Sequence, residues 1–399
     1  MRIKAAVLPA PAHAVEVRDV DLAEPKAGEV LVRMGGSGVC GSDLNVVDGR
    51  RQLVPYPAVL GHEAAGVVET VGPGVQRFSR GDHVVLTILP SCGHCLNCLR
   101  GRSNHCIVAA DAMRAGNLLE GSSRLRDGDQ RLNHFLTVSS FAECAVVAES
   151  NLTKIDAAMP LDRAALIGCA VLTGFGAVRN TAKVKRGDRV AVFGCGGVGL
   201  SAIQGARIAG ADQIIAVDVQ PNKRELAKAV GATHAIDAGQ PGVPEAVRQA
   251  ADNQGVDHAF EAAGRSETLE QAWQSLAVGG MVTVIGTLKS GSKLTLDEGP
   301  LIEEKRISGC YLGSSSPARD IPELVTLYLE GALRLDELVG RRIGLTDLND
   351  AFDRLRAGTE ARQVVVFDGS EVAAGASTQE LHLNARVGPE PLSTRGRKR

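Results

Sequence analysis

The chain has 399 residues, of which 44% are hydrophobic and 3% aromatic, and it carries 46 glycines and a formal charge of −2. This length and apolar content predict two or three domains with sizeable cores. The small net charge gives no overall attraction to nucleic acid or to an anionic membrane. No apolar run is expected to approach the length that spans a bilayer, and the N-terminus is typical of a strand rather than of a signal peptide. We therefore expect a cytoplasmic protein with no nucleic-acid and no membrane partner.

Short Val-rich segments separated by Gly and Pro turns occupy the first part of the chain, at 29–33, 65–71, 83–87 and 142–148. Their alternation of apolar and polar residues predicts a mostly β domain. The stretch between Cys106 and Phe141 is polar, rich in Arg, Asp and Gly, and has little periodicity. It is predicted to be a surface excursion.

From about residue 171 the pattern changes to alternating strands and helices. Strands are predicted at Arg189–Phe193, 214–217, 256–260 and 281–285, and helices at 200–209, 222–230 and 266–277. This alternation predicts an α/β fold with a doubly wound parallel sheet. Helices at 322–330 and 348–357 and a strand at 363–367 follow, and we expect this part to return to the first domain. Residues 370–399 are predicted to be a disordered, basic-tipped tail.

Four cysteines, Cys92, Cys95, Cys98 and Cys106, form a C-x2-C-x2-C-x7-C run. Thiolates at this spacing can surround one metal ion tetrahedrally. The alternative is two disulfides, but three of the cysteines lie so close in sequence that pairing would be strained. The run therefore predicts a structural metal site.

A glycine-rich dinucleotide fingerprint follows the predicted strand Arg189–Phe193. Its G-x-G-x-x-G pattern comprises Gly194, Gly196, Gly197, Val198 and Gly199. Glycines at these positions allow a tight turn and let backbone N–H groups approach a pyrophosphate. Asp218 ends the next predicted strand, where a carboxylate binds the adenosine ribose hydroxyls and repels a 2′-phosphate. The pattern predicts NAD as cofactor, with Lys223 along the same ribose edge.

Three further motifs carry a family resemblance. They are Cys40-Gly41-Ser42-Asp43, the segment Gly-His-Glu-Ala-Ala-Gly at 61–66, and Cys169 before Thr-Gly-Phe-Gly. With the cysteine run and the glycine loop, they resemble the zinc-dependent alcohol dehydrogenases of the medium-chain dehydrogenase/reductase superfamily, class I/III-like branch. The resemblance extends from near the N-terminus to about Phe367. It implies a GroES-like catalytic domain at 1–170 and 313–369 with a structural zinc lobe, and a Rossmann domain at 171–312.

The resemblance also implies roles for individual residues. Cys40, His62 and Cys169 would hold a catalytic zinc, with Asp43 fixing the His62 ring. Glu63 would be a carboxylate near the metal, and Ser42 would place its hydroxyl beside the substrate oxygen. Thr173 would lie near the nicotinamide and Arg362 near the pyrophosphate. The implied activity is the interconversion of alcohols and aldehydes or ketones by hydride transfer to NAD, in a homodimer or homotetramer with two zinc ions per chain.

Two positions depart from the family pattern. Many relatives have a basic residue after the first ligand cysteine, where this chain has Gly41, so we expect weaker NAD binding. Many relatives end their proton relay in a histidine, where this chain has Asn45. An asparagine cannot ionise, so we expect the relay to end in water or in a ribose hydroxyl.

Several alternatives remain open at this point. The Cys40–Asp43 motif also resembles polyol dehydrogenases, and thiol-dependent formaldehyde dehydrogenases belong to the same branch. The latter would need an anionic or amino-thiol adduct site, for which Arg114, Arg124 and Arg126 are the candidates. By resemblance, a mainly apolar pocket would include Ile88, Phe135, Thr287 and Tyr311. A non-enzymatic alternative is a catalytically silent sensor that binds NAD(H). A lack of turnover would favour this alternative.

Overall fold

The computed structural model describes residues 1–296, 299–358, 360 and 362–367. The predicted tail at 370–399 lies outside the described residues. The strands are β1 (Arg2–Leu8), β2 (Glu16–Leu22), β3 (Glu29–Gly38), β4 (Ala58–Val59), β5 (Glu63–Val71), β6 (His83–Leu86), β7 (Leu125–Asp127), β8 (Gln130–Arg131), β9 (Asn133–His134), β10 (Cys144–Ala148), β11 (Leu152–Lys154), β12 (Arg189–Phe193), β13 (Gln213–Asp218), β14 (His234–Asp237), β15 (Val256–Glu261), β16 (Leu276–Val284), β17 (Arg306–Gly309), β18 (Val339–Ile343) and β19 (Arg362–Val366).

The helices fall into two groups, according to whether they lie within the cofactor region, residues 189–309, or outside it. Those outside the cofactor region are Gly41–Val47, Leu96–Leu99, Ile107–Arg114, Pro317–Leu329 and Leu348–Ala357, and those within it are Gly197–Ala209, Pro221–Val230, Val243–Ala250, Ser266–Gln274 and Gly299–Ile302. A longer helix, Leu161–Ala182, lies between the two regions. We call it the junction helix.

Two largely antiparallel sheets form the first lobe. One has the strand order β8-β7-β2-β1-β4-β9, and the other has the order β11-β6-β5-β3-β19-β18, with β10 also paired to β3. β19, near the end of the described chain, runs antiparallel to the C-terminal part of β3. The last described strands therefore complete the sheet to which β3 belongs.

The second lobe contains a six-stranded parallel sheet with the order β14-β13-β12-β15-β16-β17. Numbered from its own first strand, this is the order 3-2-1-4-5-6 of dinucleotide-binding folds, in which ligands bind beyond the carboxyl ends of the strands. Alternate residues of β12 enter different cores: Val190 and Val192 pack in one, and Ala191 and Phe193 in the other. Both faces of the sheet are thus covered, as the continuous apolar strands predict.

Two sequence expectations are wrong. The junction helix is long and apolar enough to cross a membrane by length and composition, although no such run was expected; 94% of its most apolar stretch is buried inside the protein, as in a core helix. The stretch after Cys106 is not wholly a surface excursion, because residues 132–141 within it are all buried; it contains the helix Ile107–Arg114 and the short strands β7, β8 and β9.

Candidate active site

Cys40 and His62 are brought together by the register of two antiparallel strands. β3 ends at Gly38 and β5 begins at Glu63, and these two residues are paired. Cys40 lies just beyond the end of the first strand, and His62 lies just before the start of the second. The sheet therefore places a thiol beside an imidazole that is distant in sequence.

Cys169 reaches the same point from the junction helix. It lies in the π-helical stretch Ile167–Val171, a backbone form that often occurs at functional sites. At the preceding Gly168, a Cβ atom would lie 2.4 Å from the carbonyl oxygen of Leu86. The missing side chain lets the helix pack close to the sheet and brings Cys169 to the other two residues.

Four donor side chains converge here: Cys40, His62, Glu63 and Cys169, whose ligand atoms all lie within 4.8 Å of one another. All four are buried. His62 Nε2 has no hydrogen-bond partner among the described residues, which is costly for a buried polar atom unless a ligand binds it. Two thiols and this imidazole nitrogen fit zinc, and three protein ligands leave a coordination position open.

Asp43 holds two members of the donor set, His62 and Cys40, in place. Its Oδ1 lies 3.2 Å from His62 Nδ1 and accepts the Gly61 N–H at 3.1 Å, while its Oδ2 accepts the Cys40 N–H at 3.1 Å. Because Nδ1 donates to the carboxylate, Nε2 is left with its lone pair available for a metal. Asp43 thereby fixes the tautomer of one donor and the backbone of another.

The charges at this site favour metal binding. The hydrogen bond from Cys169 is the largest cause that lowers the pKa of Cys40 well below its ordinary value, and a thiolate is the form that binds a metal. Burial raises the pKa of Glu63 to about 8, although Arg362 opposes this shift. Arg362 Nη2 lies 3.3 Å from Glu63 Oε2. A buried guanidinium therefore balances the negative charge of the site.

The sulfur atoms of Cys92, Cys95, Cys98 and Cys106 form a second donor group, also within 4.8 Å of one another. All nine cysteines lie within the described residues and are free thiols, so the two-disulfide alternative is not found. The N–H groups of Cys92 and Cys95 donate to Cys106 Sγ and Cys92 Sγ. Backbone hydrogen bonds, the largest involving Cys98, lower the pKa of Cys95 to about 6. Four such sulfurs are typical of a closed structural zinc site.

A cleft of about 840 Å³ joins the metal group to the glycine loop. Cys40 and Cys169 line one part, and Gly196, Gly197 and Val198 line another. The φ angle of Gly194 is +95°, which permits the tight turn, and a Cβ at Gly199 would lie 1.9 Å from the Gly194 oxygen. These glycines therefore let the loop turn sharply and the following helix pack against it.

Arg362 meets the glycine loop directly. A Cβ at Gly197 would lie 2.1 Å from Arg362 Nε, and this nitrogen is buried without a hydrogen-bond partner in the described part of the chain. Backbone N–H groups at a helix start together with an unpartnered guanidinium nitrogen fit a pyrophosphate.

Of the other predicted cofactor residues, two line the same cleft, whereas Asp218 is not part of its lining. Asp218 Oδ2 accepts the Cys195 N–H at 2.7 Å, and its Oδ1 accepts the Gln220 N–H at 2.9 Å. These bonds hold the carboxylate beside the glycine loop. Lys223 and Thr173 line the cleft, and Thr173 Oγ1 is buried with no partner among the residues that the structure describes.

The positions around Cys40 also face the cleft. Ser42 and Asn45 line it, three residues apart on the helix Gly41–Val47 and hence on the same face. Gly41 lines it as well, and a Cβ there would meet nothing within 4 Å. The structure therefore leaves room for the basic side chain that this chain lacks.

The expected substrate pocket is found in part. Ile88, Thr287 and Tyr311 line the cleft, but Phe135 does not. Phe135 is fully buried, and its ring packs edge-on against His62 with centroids 5.6 Å apart. It therefore lies behind a candidate metal ligand and forms no wall of the cleft.

The three arginines considered for an anionic adduct point elsewhere. Arg114 pairs with Asp111, Arg124 pairs with Glu29 and Glu120, and Arg126 donates to the carbonyl oxygen of Asp129. Other basic residues line the cleft and were not predicted from the sequence; they include Arg50, Arg51, Arg265 and Lys289. No local motif marks them, since they meet only where the lobes approach: Arg51 donates to the Leu288 carbonyl oxygen at 3.1 Å.

Comparison with known proteins agrees with this architecture. The family described as alcohol dehydrogenase GroES-like domain matches residues 26–157, and the family described as zinc-binding dehydrogenase matches residues 197–330. The chain is 37% identical over 369 residues to an S-(hydroxymethyl)glutathione dehydrogenase of Escherichia coli O1:K1 / APEC. This match covers 92% of this chain and 100% of that protein.

Solved structures show the same similarity. An alcohol dehydrogenase zinc-binding domain protein from Burkholderia ambifaria has a TM-score of 0.88 and 38% identity. Benzyl alcohol dehydrogenase from Acinetobacter calcoaceticus has a TM-score of 0.87 and 35% identity. Each match covers 92% of this chain and 99% of the other.

Fold and site together define a zinc-dependent dehydrogenase, with a nucleotide-binding sheet on one side of the cleft and a metal group on the other. The chain belongs to the zinc-dependent alcohol dehydrogenases of the medium-chain dehydrogenase/reductase superfamily. It is an NAD-dependent oxidoreductase that interconverts alcohols and aldehydes or ketones. Its cofactors are NAD and zinc, and its substrates are small molecules.

Proposed function

We propose that the substrates are medium-sized primary or aromatic alcohols and the corresponding aldehydes. The observation that carries this proposal is the apolar space beside the metal group. Ile88 and Tyr311 line the main cleft and also a second cavity of about 250 Å³, whose other walls include Leu89, Ala109 and Met113. An apolar tail can occupy this space while polar groups hold the reacting end. The name of the benzyl alcohol dehydrogenase relative supports the same substrate class.

In this proposal each side chain of the site has a distinct task. Cys40, His62 and Cys169 would hold the catalytic zinc, which supplies Lewis acidity when bound. Ser42 lines the cleft beside Cys40 and would accept the substrate proton at its hydroxyl. Asp43 keeps His62 in the ligand tautomer. Thr173 and Arg362 would orient the nicotinamide half and the pyrophosphate of NAD, so that hydride transfer occurs at fixed geometry.

A second candidate substrate is a thiol adduct of formaldehyde. The curated relative acts on S-(hydroxymethyl)glutathione by its name, and basic residues predominate along the cleft. Arg50, Arg51, Arg265 and Lys289 line it, whereas Glu360 is the single acidic residue among the described lining. Such a charge balance attracts a substrate that carries carboxylates. The basic residues near Arg51 would replace the arginines of the loop at 114–126 in this role.

The assembly and location are also proposals. We infer a homodimer or homotetramer, because β17 is an edge strand of the parallel sheet and Ile307 within it is exposed. Val278 and Ile302 are exposed nearby, and an exposed apolar edge favours pairing with a second copy. The balanced charge and the free cysteines support a cytoplasmic location.

The testing experiment is zinc analysis of the purified protein, paired with an NAD-linked absorbance assay. The panel contains benzyl alcohol, straight-chain alcohols of increasing length, a polyol and S-(hydroxymethyl)glutathione. We expect about two zinc ions per chain, from the two donor groups, and the highest kcat/KM for apolar alcohols. Cys169→Ala should remove turnover and one zinc, while Cys144→Ala, outside both groups, should keep both. Preference for the adduct would favour the second candidate. NADH binding without turnover on any substrate would indicate a silent NAD(H) sensor.

A further inference from the structure

Glu261 is a buried carboxylate for which the reaction described above has no use. It ends β15 at the carboxyl edge of the parallel sheet, next to Phe193 on one side and Val284 on the other. Its side chain is fully buried. A buried carboxylate is costly unless hydrogen bonds compensate for its lost hydration, so its contacts indicate what it does.

One carboxylate oxygen organises a single turn. Glu261 Oε1 accepts the N–H groups of Ala263, Gly264 and Arg265 at 3.0, 2.7 and 3.3 Å, and it also accepts the Thr268 hydroxyl at 2.8 Å. Ala262, Ala263, Gly264 and Arg265 all line the cofactor cleft. The carboxylate thus sets the backbone of one wall of the cleft while remaining outside the cleft itself.

The same residue holds the neighbouring wall. The Glu261 carbonyl oxygen accepts the N–H groups of Ile285 and Gly286, both at 2.8 Å. These two residues begin the segment 285–288, which also lines the cleft. A Cβ at Gly286 would lie 2.5 Å from Glu261 Oε2. The carboxyl group is therefore packed directly beneath the second segment.

The turn at 262–265 also contacts both of its neighbours. A Cβ at Gly194 would lie 2.7 Å from the Ala263 nitrogen, and a Cβ at Gly264 would lie 2.7 Å from the Thr287 oxygen. The turn is thus packed so closely between the glycine loop and the segment 285–288 that a Cβ atom at either glycine would clash. A displacement of the turn would be transmitted to both.

We propose that Glu261 is a positioning residue for NAD. It fixes the turn at 262–265 between the glycine loop and the segment 285–288, so that three cofactor-lining segments keep one relative arrangement. Glu261 does not touch the cofactor, since its carboxylate is fully buried beneath these segments. The inference rests on NAD use and is independent of which alcohol is the substrate.

The test compares Glu261→Ala, Glu261→Gln and Thr268→Val in the full chain. Glu261→Ala leaves the N–H groups of Ala263, Gly264 and Arg265 without their shared acceptor, so the turn at 262–265 loses the contact that fixes its backbone. We expect at least a tenfold increase in the NADH dissociation constant, measured by fluorescence titration, and in the KM for NAD. The KM for the alcohol should change by less than about twofold, and Thr268→Val should produce a smaller change in the same direction.

Glu261→Gln tests whether an acceptor oxygen is sufficient, because its amide oxygen can accept the same N–H groups; NADH affinity should recover to within about threefold of the wild type. The control is Glu245→Ala, an exposed glutamate of the same lobe. If Glu261→Ala lowers only the melting temperature, and neither it nor Thr268→Val changes NADH affinity, the proposal is wrong. NADH titration requires no turnover, so this result stays separate from any failure of the proposed substrate class.

Discussion

Asp43 controls two candidate zinc ligands at once. It accepts a hydrogen bond from the His62 ring through one oxygen and from the Cys40 backbone through the other. Sequence alone gives Asp43 a role only by family resemblance. The structure adds the Gly61 N–H as a third donor, so the carboxylate links the two chain segments that carry these ligands.

We predict that Asp43→Asn lowers kcat by about 10- to 100-fold, the range seen when partners of metal-bound histidines are changed. An amide can present its N–H₂ to the ring and so favour the wrong tautomer of His62. Zinc content and kcat should be measured on the same preparation. Asp19→Asn, in an exposed ion pair, is the control. Unchanged kcat in Asp43→Asn would show that the Asp43 carboxylate is not needed to orient His62.

Asn45 is the position at which we predict a change in the pH dependence of proton removal. It lines the cleft on the same helical face as Ser42, and it cannot ionise. We predict that Asn45→His has a higher kcat for alcohol oxidation than the wild type once the pH rises above about 6.5, because the histidine is then neutral and can accept a proton. The pH–rate profiles of the wild type, Asn45→His and the non-titrating Asn45→Gln provide the measurement. Identical profiles for all three would exclude a relay at this position.

At the scale of elements, local pattern and tertiary packing contribute differently. The prediction of β12 matches its bounds, because a buried parallel strand between a charged residue and a glycine turn is marked within its own sequence. The junction helix was missed. Gly168, Gly174 and Gly176 make it a poor helix former, yet Cβ atoms there would clash with Leu86, Val198 and Ser315. Close tertiary packing determines this helix.

The candidate site shows the same division. The four-cysteine run and the glycine loop have recognisable spacing, so the sequence locates them, whereas Cys40, His62 and Cys169 are assigned only by family resemblance. Arg51 has no motif, because its partner Leu288 belongs to an element that only the folded chain brings near. Glu261 bonds the turn that follows it in sequence, but its contact with the segment 285–288 also depends on the folded chain. Phe135 was expected in the pocket, but its ring lies behind His62. Resemblance can assign a residue to a region, but the direction of its side chain depends on packing.

The structural cysteine group belongs to this scale as well, since Cys106 immediately precedes the helix Ile107–Arg114. Ala109 and Met113 of this helix line the cavity beside Tyr311. We predict that Cys106→Ser reduces zinc from about two ions per chain to about one, because a closed tetrahedral site requires four ligands. The melting temperature should fall and the KM for a bulky alcohol should rise, while NADH affinity stays constant. Two zinc ions per chain in this variant would show that Cys106 is not a required zinc ligand.

At the scale of the whole molecule, the two lobes share one hydrophobic core. That core contains residues of β3, of the junction helix and of the helix Gly197–Ala209, for example Val32, Leu166 and Leu200. Arg362 adds a polar link, since it reaches both Glu63 and the glycine loop. The lobes are therefore expected to unfold together, and a buried titrating group in one lobe affects the stability of the entire chain.

His134 is such a group. It is fully buried, and its Nε2 accepts the Arg124 N–H at 3.2 Å. Burial, together with the positive charges of Arg124 and Arg131, lowers the pKa of His134 to about 3, whereas an unfolded histidine has a pKa of about 6.5. Between these values the unfolded chain binds one more proton than the folded chain. The free energy of unfolding therefore decreases as the pH falls through this range.

Protonation of His134 in the unfolded chain should make the free energy of unfolding about 2 kcal/mol lower at pH 5 than at pH 7.5, because each pKa unit corresponds to about 1.4 kcal/mol. We predict that His134→Gln is less stable than the wild type at pH 7.5, since packing is disturbed, and that the difference shrinks by about 2 kcal/mol at pH 5. Urea unfolding of both proteins at the two pH values gives the comparison. The exposed His13→Gln is the control, and its difference from the wild type should not depend on pH. An equal gap at both pH values for His134→Gln would mean that His134 is protonated within the folded protein, with Arg124 displaced to accommodate the charge.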